Sequence, residues 1–243
     1  MNVIAATSRF FSALGTLCFP PFCAACRAAT EPGVHLCEDC ALGARRIVAP
    51  FCERCSQPFE GAITQTFVCS NCAGREIHFE CAVAPYRSSG VVRDFIHAFK
   101  YEHRLHLSRT LGDWLAEALA DPRIASRGFD AFVPVPLHHK RFREREFNQA
   151  EELARHLSKR TGIPAWKALK RIRYTTTQTK LDRHERMENL RGAFRVRHNE
   201  RVKNCHLVLV DDVFTTGSTV EECSRALLGA GAASVRVVTV ARG

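Results

Sequence analysis

Two adjacent carboxylates, Asp211 and Asp212, close an apolar run in "LVLVDDVFTTGST", residues 207–219. Ionised carboxylates are acceptors only, so they suit hydroxyl groups, and their mutual repulsion gives folding nothing. The loop that follows offers the hydroxyls of Thr215, Thr216, Ser218 and Thr219 and a run of backbone N–H groups. Gly217 lets the backbone turn closely around a ligand. A helix starting here adds the partial positive charge of its N-terminus, and the combination suits a phosphate dianion. A phosphate beside vicinal hydroxyls describes a ribose 5-phosphate. A nucleotide hydrolase can also end an apolar strand in acids, but it needs a partner G-x-x-x-x-G-K-[ST] loop. No Gly-Lys dipeptide occurs in the chain. The remaining alternative is structural, with the acids as helix caps and the threonines as turn residues.

A second chemistry lies near the N-terminus. Ten of the twelve cysteines precede residue 82, and eight form Cys-x-x-Cys pairs: Cys23/Cys26, Cys37/Cys40, Cys52/Cys55 and Cys69/Cys72. Each pair fits a tight knuckle, and two knuckles close a tetrahedral four-thiolate shell around zinc. Two structural zinc sites are expected, paired sequentially (23/26/37/40 and 52/55/69/72) or interleaved, since spacing allows both. A disulfide framework is the rival, and a reducing compartment disfavours it. Cys18, Cys81, Cys205 and Cys223 fit no ligand spacing and read as small core residues. His35 and His78 lie near enough to substitute as ligands.

The elements that must position these groups follow from periodicity. The 243 residues include 46% hydrophobic ones, enough for a real core. From residue 79 onward strand and helix signals alternate. Strands are expected at "ECAVAPY" (short), "FDAFVPVP" (stopped by Pro136), "AWKAL" (weak) and "AFRV" (short), then a buried one at "HLVLV" and a final one at "SVRVVTVA". Helices are expected at "VVRDFIHAFK", "LSRTLGDWLAEALA", "FNQAEELARHLSKRTG" (stopping at Gly162) and "TVEECSRALLGAG". Alternation of this kind indicates βαβ units and a mostly parallel sheet flanked by helices. Ligands then bind at the carboxyl ends of the strands, where Asp211 and Asp212 sit. Residues 170–191 break the alternation with a charged, threonine-rich stretch that reads as an active-site flap or an exposed loop.

Charge and termini bound the partners. The formal net charge is +10, and residues 138–201 hold 18 Lys/Arg against 8 Asp/Glu, so the whole excess is local. Such a block suits an anionic partner, a phosphorylated small molecule or a nucleic-acid backbone, or else a solvated surface. No apolar run is long enough to span a bilayer. "MNVIAATSRFFSALGTL" lacks the pattern of a secretion signal, and Phe10, Phe11, Leu14 and Leu17 predict a short docking helix. A cytoplasmic location is expected.

The segment "VLVDDVFTTGST" resembles the 5-phosphoribosyl 1-pyrophosphate (PRPP) motif of type I phosphoribosyltransferases. With the paired cysteines, "VPVPLHHKRFREREFNQAEELA", "RYTTTQTKLDRHERMENLRGAFRV" and "GAGAASVRVVTVAR", nearly the whole chain resembles the competence protein F (ComF) family, double-zinc-ribbon proteins with a type I phosphoribosyltransferase-like fold. One departure is visible: the family usually reads Arg-Gly-Phe-Asn-Gln, and Glu146 stands in place of that glycine. The resemblance implies a helix and double ribbon over 1–78 and a phosphoribosyltransferase-like domain over 79–243. It implies that Asp211 and Asp212 hold the ribose hydroxyls and that Thr215, Thr216, Gly217, Ser218 and Thr219 hold the 5-phosphate. Lys100 and Arg104 of "FKYEHR" become candidate pyrophosphate partners, and Thr177, Gln178, Arg183 and Arg186 candidate flap contacts. Mg²⁺ would arrive with PRPP rather than in a protein cage.

Three functions follow from these expectations. The first is a PRPP-binding protein of DNA uptake or single-stranded DNA handling, with Lys140, Arg141, Arg143 and Arg145 meeting phosphates. The second is a salvage or biosynthetic phosphoribosyltransferase with a base or amine acceptor. The third is a non-catalytic module whose ribbons bind nucleic acid. A protein partner at the zinc ribbon is a further expectation.

Overall fold

A computed structural model of the chain describes residues 21–61, 63, 67–174 and 183–243, without the side chains of Arg183, His184, Arg186 and Met187. The expected N-terminal docking helix, Cys18, Thr177 and Gln178 lie outside the described residues.

Parallel strands form the centre. β1 (Ala82–Val83) and β2 (Tyr86–Arg87) pair with β7 (Ser234–Arg242), β7 pairs with β6 (His206–Phe214), and β6 pairs with β3 (Ala131–Pro134). Every residue of β7 is buried, as a strand enclosed by neighbours and covered on both faces must be. Side chains alternate across this sheet and build two apolar layers. Val83, Phe132, Val208, Val210, Val238 and Val240 face one layer; Ala82, Val133, Leu207, Leu209, Val235 and Val237 face the other.

The first layer is closed by α2 (Gly90–Tyr101), α3 (Leu107–Ala116) and α6 (Gln149–Thr161). Their apolar residues recur at helical spacing: Val92, Phe95, Ile96 and Phe99; Leu107, Leu111 and Leu115; Leu153 and Leu157. The second layer is closed by α9 (Ser218–Gly229), by the antiparallel pair β4 (Leu169–Arg171) and β5 (Phe194–Val196), and by the second cysteine cluster.

The chain differs from expectation in several places. "ECAVAPY" gives two short strands broken at Ala84–Pro85 instead of one. "AWKAL" contributes a bridge between Ala165 and Phe132 and only its last residue, Leu169, to a strand. Residues 170–191 are not wholly irregular: they begin in β4 and end in α7 (Arg183–Leu190). Four short helices carry too little apolar periodicity to be read from sequence: α1 (Glu38–Leu42), α4 (Pro122–Ala125), α5 (His139–Arg145) and α8 (Asn199–Val202). α5 ends at Glu146, whose φ of 64° is left-handed and whose N–H bonds to the Phe142 carbonyl at 2.7 Å. A residue with a Cβ is strained there, by about 1–2 kcal/mol, and a glycine is not. The departure from Arg-Gly-Phe-Asn-Gln thus falls on a helix C-cap. Asn148 still caps α6, accepting from Ala150 N–H at 3.0 Å and donating to the Val135 carbonyl at 3.0 Å.

Candidate functional site

β6 emerges from the sheet at Asp211 and Asp212 and runs to Phe214; Thr215 to Gly217 then turn the chain into α9. Gly217 has φ +80°, and a Cβ there would meet Phe214 Cζ at 2.5 Å. Both the conformation and the ring beneath require glycine. The N-cap of α9, Gly217, has no side chain to cap the helix, and among the described residues only the first N–H, that of Ser218, has a side-chain acceptor at the turn. Thr216 Oγ1 lies 3.0 Å from Ser218 Oγ and accepts from Ser218 N–H at 3.4 Å. Thr215 is exposed, Thr216 and Thr219 are half-buried, and Ser218 is buried. Hydroxyls and amides therefore line one tight turn, an arrangement able to hold a phosphate.

The two carboxylates are held differently. Asp212 is buried, and its Oδ2 lies 2.9 Å from Lys100 Nζ. Asp211 is half-buried and accepts only the Asp212 N–H, at 2.9 Å, among the described residues. Loss of water around Asp211 pushes its carboxyl up to about 7; the Asp212 charge adds to the rise, and Lys100 and Arg145 oppose it. Arg171 also acts on Asp211 across the site, and its own guanidinium is held below the usual range, mainly by burial.

The other expected residues fall as follows. Arg104 is engaged with Glu102 at 2.8 Å, so of the "FKYEHR" pair only Lys100 reaches the acids. Arg145 is buried, donates to Gln149 Oε1 at 3.2 Å and to Tyr101 OH at 3.1 Å, and lies over the Tyr101 ring. It faces the acidic pair and not the outer surface. Lys140 sits over the Tyr174 ring, 4.7 Å from its centroid; on the same helix Arg143 is exposed and Arg141 half-buried. The backbone of Arg183 and Arg186 belongs to α7, which packs beside α9.

Several participants carry no sequence signal of their own. Arg242, at the end of β7, donates to the Phe214 and Thr215 carbonyls at 3.1 and 2.7 Å and braces the turn from behind. Glu222 accepts from Gly192 N–H at 2.6 Å and ties the base of the 170–191 segment to α9. Arg171, the last residue of β4, lies over the Phe194 ring of β5 at 5.4 Å, and its charge reaches Asp211. These roles depend on chain ends meeting in space, which no local spacing reveals.

The cysteines form two groups, Cys23, Cys26, Cys37 and Cys40, and Cys52, Cys55, Cys69 and Cys72, each with its sulfurs within 4.8 Å of one another. The pairing is sequential. Cys26 and Cys37 sulfurs are 3.6 Å apart, as are those of Cys55 and Cys69. A tetrahedral zinc with bonds of about 2.3 Å sets its sulfurs about 3.8 Å apart, so both groups fit the metal. Both first knuckles repeat one device: Arg27 and Ser56, each following the second cysteine of its pair, are left-handed at φ 67° and 55°. His78 is no ligand. Its Nδ1 lies 2.6 Å from Glu221 Oε1, and its backbone N–H bonds the same carboxylate. Cys81 and Cys223 are core residues as expected, whereas Cys205 is half-exposed in the turn before β6.

The second cluster is part of the support of the Gly217 turn. All four of its cysteines are buried, in one apolar layer with Phe79, Phe214 and Val220. Phe79 meets Phe214 edge-on with centroids 5.9 Å apart. A small cavity between them is walled by Cys72, Ile77, Gly217 and Glu221. The first cluster is more open, with Cys26 exposed. No helix among the described residues is long and apolar enough to cross a membrane.

Comparison with known proteins agrees with this architecture. Residues 14–73 match the double zinc ribbon domain and residues 148–243 the phosphoribosyl transferase domain. The DNA utilization protein YhgH of Salmonella typhimurium is 32% identical over 93% of this chain and 99% of its own length. Competence protein F of Haemophilus influenzae is 32% identical over 85% of this chain and 90% of its own. Among solved structures, glutamine phosphoribosylpyrophosphate amidotransferase from B. subtilis aligns with a TM-score of 0.36 and 23% identity, over 54% of this chain and 25% of that one. With the double zinc ribbon and phosphoribosyl transferase domains both matched, and relatives 32% identical across most of both chains, this chain belongs to the competence protein F family.

Proposed function

We propose that the chain binds PRPP at the carboxyl edge of β6 and serves in the uptake or handling of single-stranded DNA. The observation that carries this reading is the single tight turn at Gly217, with amides and hydroxyls on one side and the Asp211–Asp212 pair on the other. The turn takes the 5-phosphate, and the carboxylates take the ribose hydroxyls. Lys100 fixes Asp212, and Arg145 and Arg171 supply positive charge where the pyrophosphate lies. Mg²⁺ entering with the ligand would supply charge neutralisation at the pyrophosphate. In this reading residues 1–78 form the ribbon unit, also offered to a protein partner, and residues 79–243 the sugar-phosphate unit. The relatives' names, DNA utilization and competence proteins, support the DNA role.

One observation favours turnover as a second reading. A carboxyl lifted to about 7 is suited to take a proton at neutral pH. Asp211 would accept the proton of an acceptor N–H as nitrogen bonds to the anomeric carbon and the bond from that carbon to pyrophosphate oxygen breaks. Pyrophosphate release from PRPP and Mg²⁺, measured across nucleobases, amines and single-stranded oligonucleotides, separates the two readings. The first predicts bound PRPP with no release stimulated by bases or amines. Release that one such acceptor stimulates, and that Asp211→Asn removes, would make this chain a salvage or biosynthetic enzyme.

A further inference from the structure

A second cavity, of about 310 Å³, opens between the exit of β3, α5 and the β4–β5 pair. That is the lower end of the size range of ligand pockets. Its walls carry Lys167, Lys170, Arg171 and Arg197 with His139, against one carboxylate, Glu151. Lys167 Nζ lies 2.5 Å from Glu151 Oε2, so that carboxylate is already matched and the positive excess stands. The hairpin concentrates this charge at a cost. Lys170 is directly opposite Arg195 across the antiparallel pair, and like charges so placed are destabilising. The Lys170 side chain makes no ion pair or hydrogen bond among the described residues.

The rim is aromatic. Phe142 lines the cavity and is 46% exposed; Tyr174, 43% exposed, lies beyond it beneath Lys140 and 5.0 Å from the His138 ring. A large apolar ring left in water beside cations has no use in the core. It does suit a partner that alternates flat bases with phosphates.

We propose that this cavity takes one nucleotide of a single-stranded nucleic acid, its phosphate between Lys170 and Arg197 and its base against Phe142. The cations and rings that continue along α5 match a chain better than a lone nucleotide. A duplex is disfavoured, because a base must leave its stack to enter. The proposal rests on the nucleic-acid role given above and adds the place and chemistry of contact.

Fluorescence anisotropy with labelled oligothymidylate, oligouridylate and a hairpin duplex tests it on the zinc-loaded full chain. Phe142→Ala is expected to weaken single-strand binding about tenfold while leaving the salt slope unchanged. Lys170→Ala is expected to weaken it severalfold and to flatten the slope of log K against log salt by about 0.7. Lys159→Ala, an equal loss of charge in the last turn of α6, is the control and is expected to change little. Both oligomers should bind above the duplex, and their ratio shows whether DNA or RNA is preferred. PRPP affinity should survive Lys170→Ala. The proposal is overturned, and the nucleic-acid role kept, if wild type binds but both cavity variants bind equally well or Lys159→Ala loses as much. Parallel loss of PRPP in Lys170→Ala would instead make the cavity an extension of the PRPP site. No binding by wild type at low salt sinks the nucleic-acid role itself.

Discussion

Cys55→Ser is expected to abolish PRPP binding at the Gly217 turn, while Cys26→Ser leaves most of it intact. The asymmetry comes from burial. The second cluster shares a core layer with Phe214, whose ring lies under Gly217, and with Val220 in the first turn of α9. His78, six residues past Cys72, anchors Glu221 through both its ring and its backbone. A structural zinc contributes about 10 kcal/mol or more to a small ribbon, comparable to the whole stability of a domain. Without it Phe79 loses its footing and Phe214 its edge-on partner, so the turn loses the surface it is folded against. The first cluster packs toward the opposite layer through Ala24, Leu36 and Ala44. Zinc content by mass spectrometry under native conditions, with hydrogen exchange over residues 214–221, checks the idea apart from any ligand. Each variant should keep one zinc, and only Cys55→Ser should show fast exchange at the turn. Equal protection in the two variants would uncouple ribbon from site.

Asp211→Asn is expected to stabilise the protein at pH 8 and to weaken PRPP binding about tenfold to a hundredfold. The Asp211 carboxyl stands at about 7 in the folded chain, for want of water and beside Asp212, against about 3.9 when free. The folded state therefore holds its proton more tightly than the unfolded state does. Stability falls as pH rises from about 4 to 7, and above 7 the full penalty is present. Asparagine removes the charge and hence the penalty, a gain of about 2 kcal/mol, half of the full conversion because the carboxyl is partly open to water. Urea unfolding at pH 8 and pH 5 reads this directly: the gain should shrink at the lower pH. The same substitution takes away a charged acceptor for a ribose hydroxyl, which sets the expected loss of affinity. A variant no more stable at pH 8 would mean that Asp211 is already satisfied by solvent.

The parts legible in the sequence are those with strong periodicity or fixed ligand spacing. β6, β7, α2, α6 and α9 carry their apolar pattern in the chain itself, and four Cys-x-x-Cys pairs announce two metal sites. Spacing left the pairing open, because a choice between sequential and interleaved shells depends on how the knuckles stack. α5 was invisible for a physical reason: "HKRFRER" is charged on every side, and its fold rests on a cap from His138 and a left-handed exit at Glu146. With α5 unread, the basic side chains of 140–145 looked alike, yet Arg145 turns inward to Tyr101 and Gln149 while Lys140 lies outside over Tyr174. Lys100, which contacts Asp212, and Arg145 and Arg171, whose charges reach Asp211, come from three distant segments. The brace from Arg242 and the tether from Glu222 are likewise contacts across the fold.

Calorimetric titration of PRPP with Mg²⁺ into the zinc-loaded chain bears most directly on the proposed ligand site at the Gly217 turn. Saturable one-to-one binding is predicted, competed by ribose 5-phosphate and lost in Gly217→Ala, whose methyl group would run into Phe214. Absence of heat and of competition with correctly loaded wild type, or undiminished binding by Gly217→Ala, would contradict the placement of the ligand at this turn.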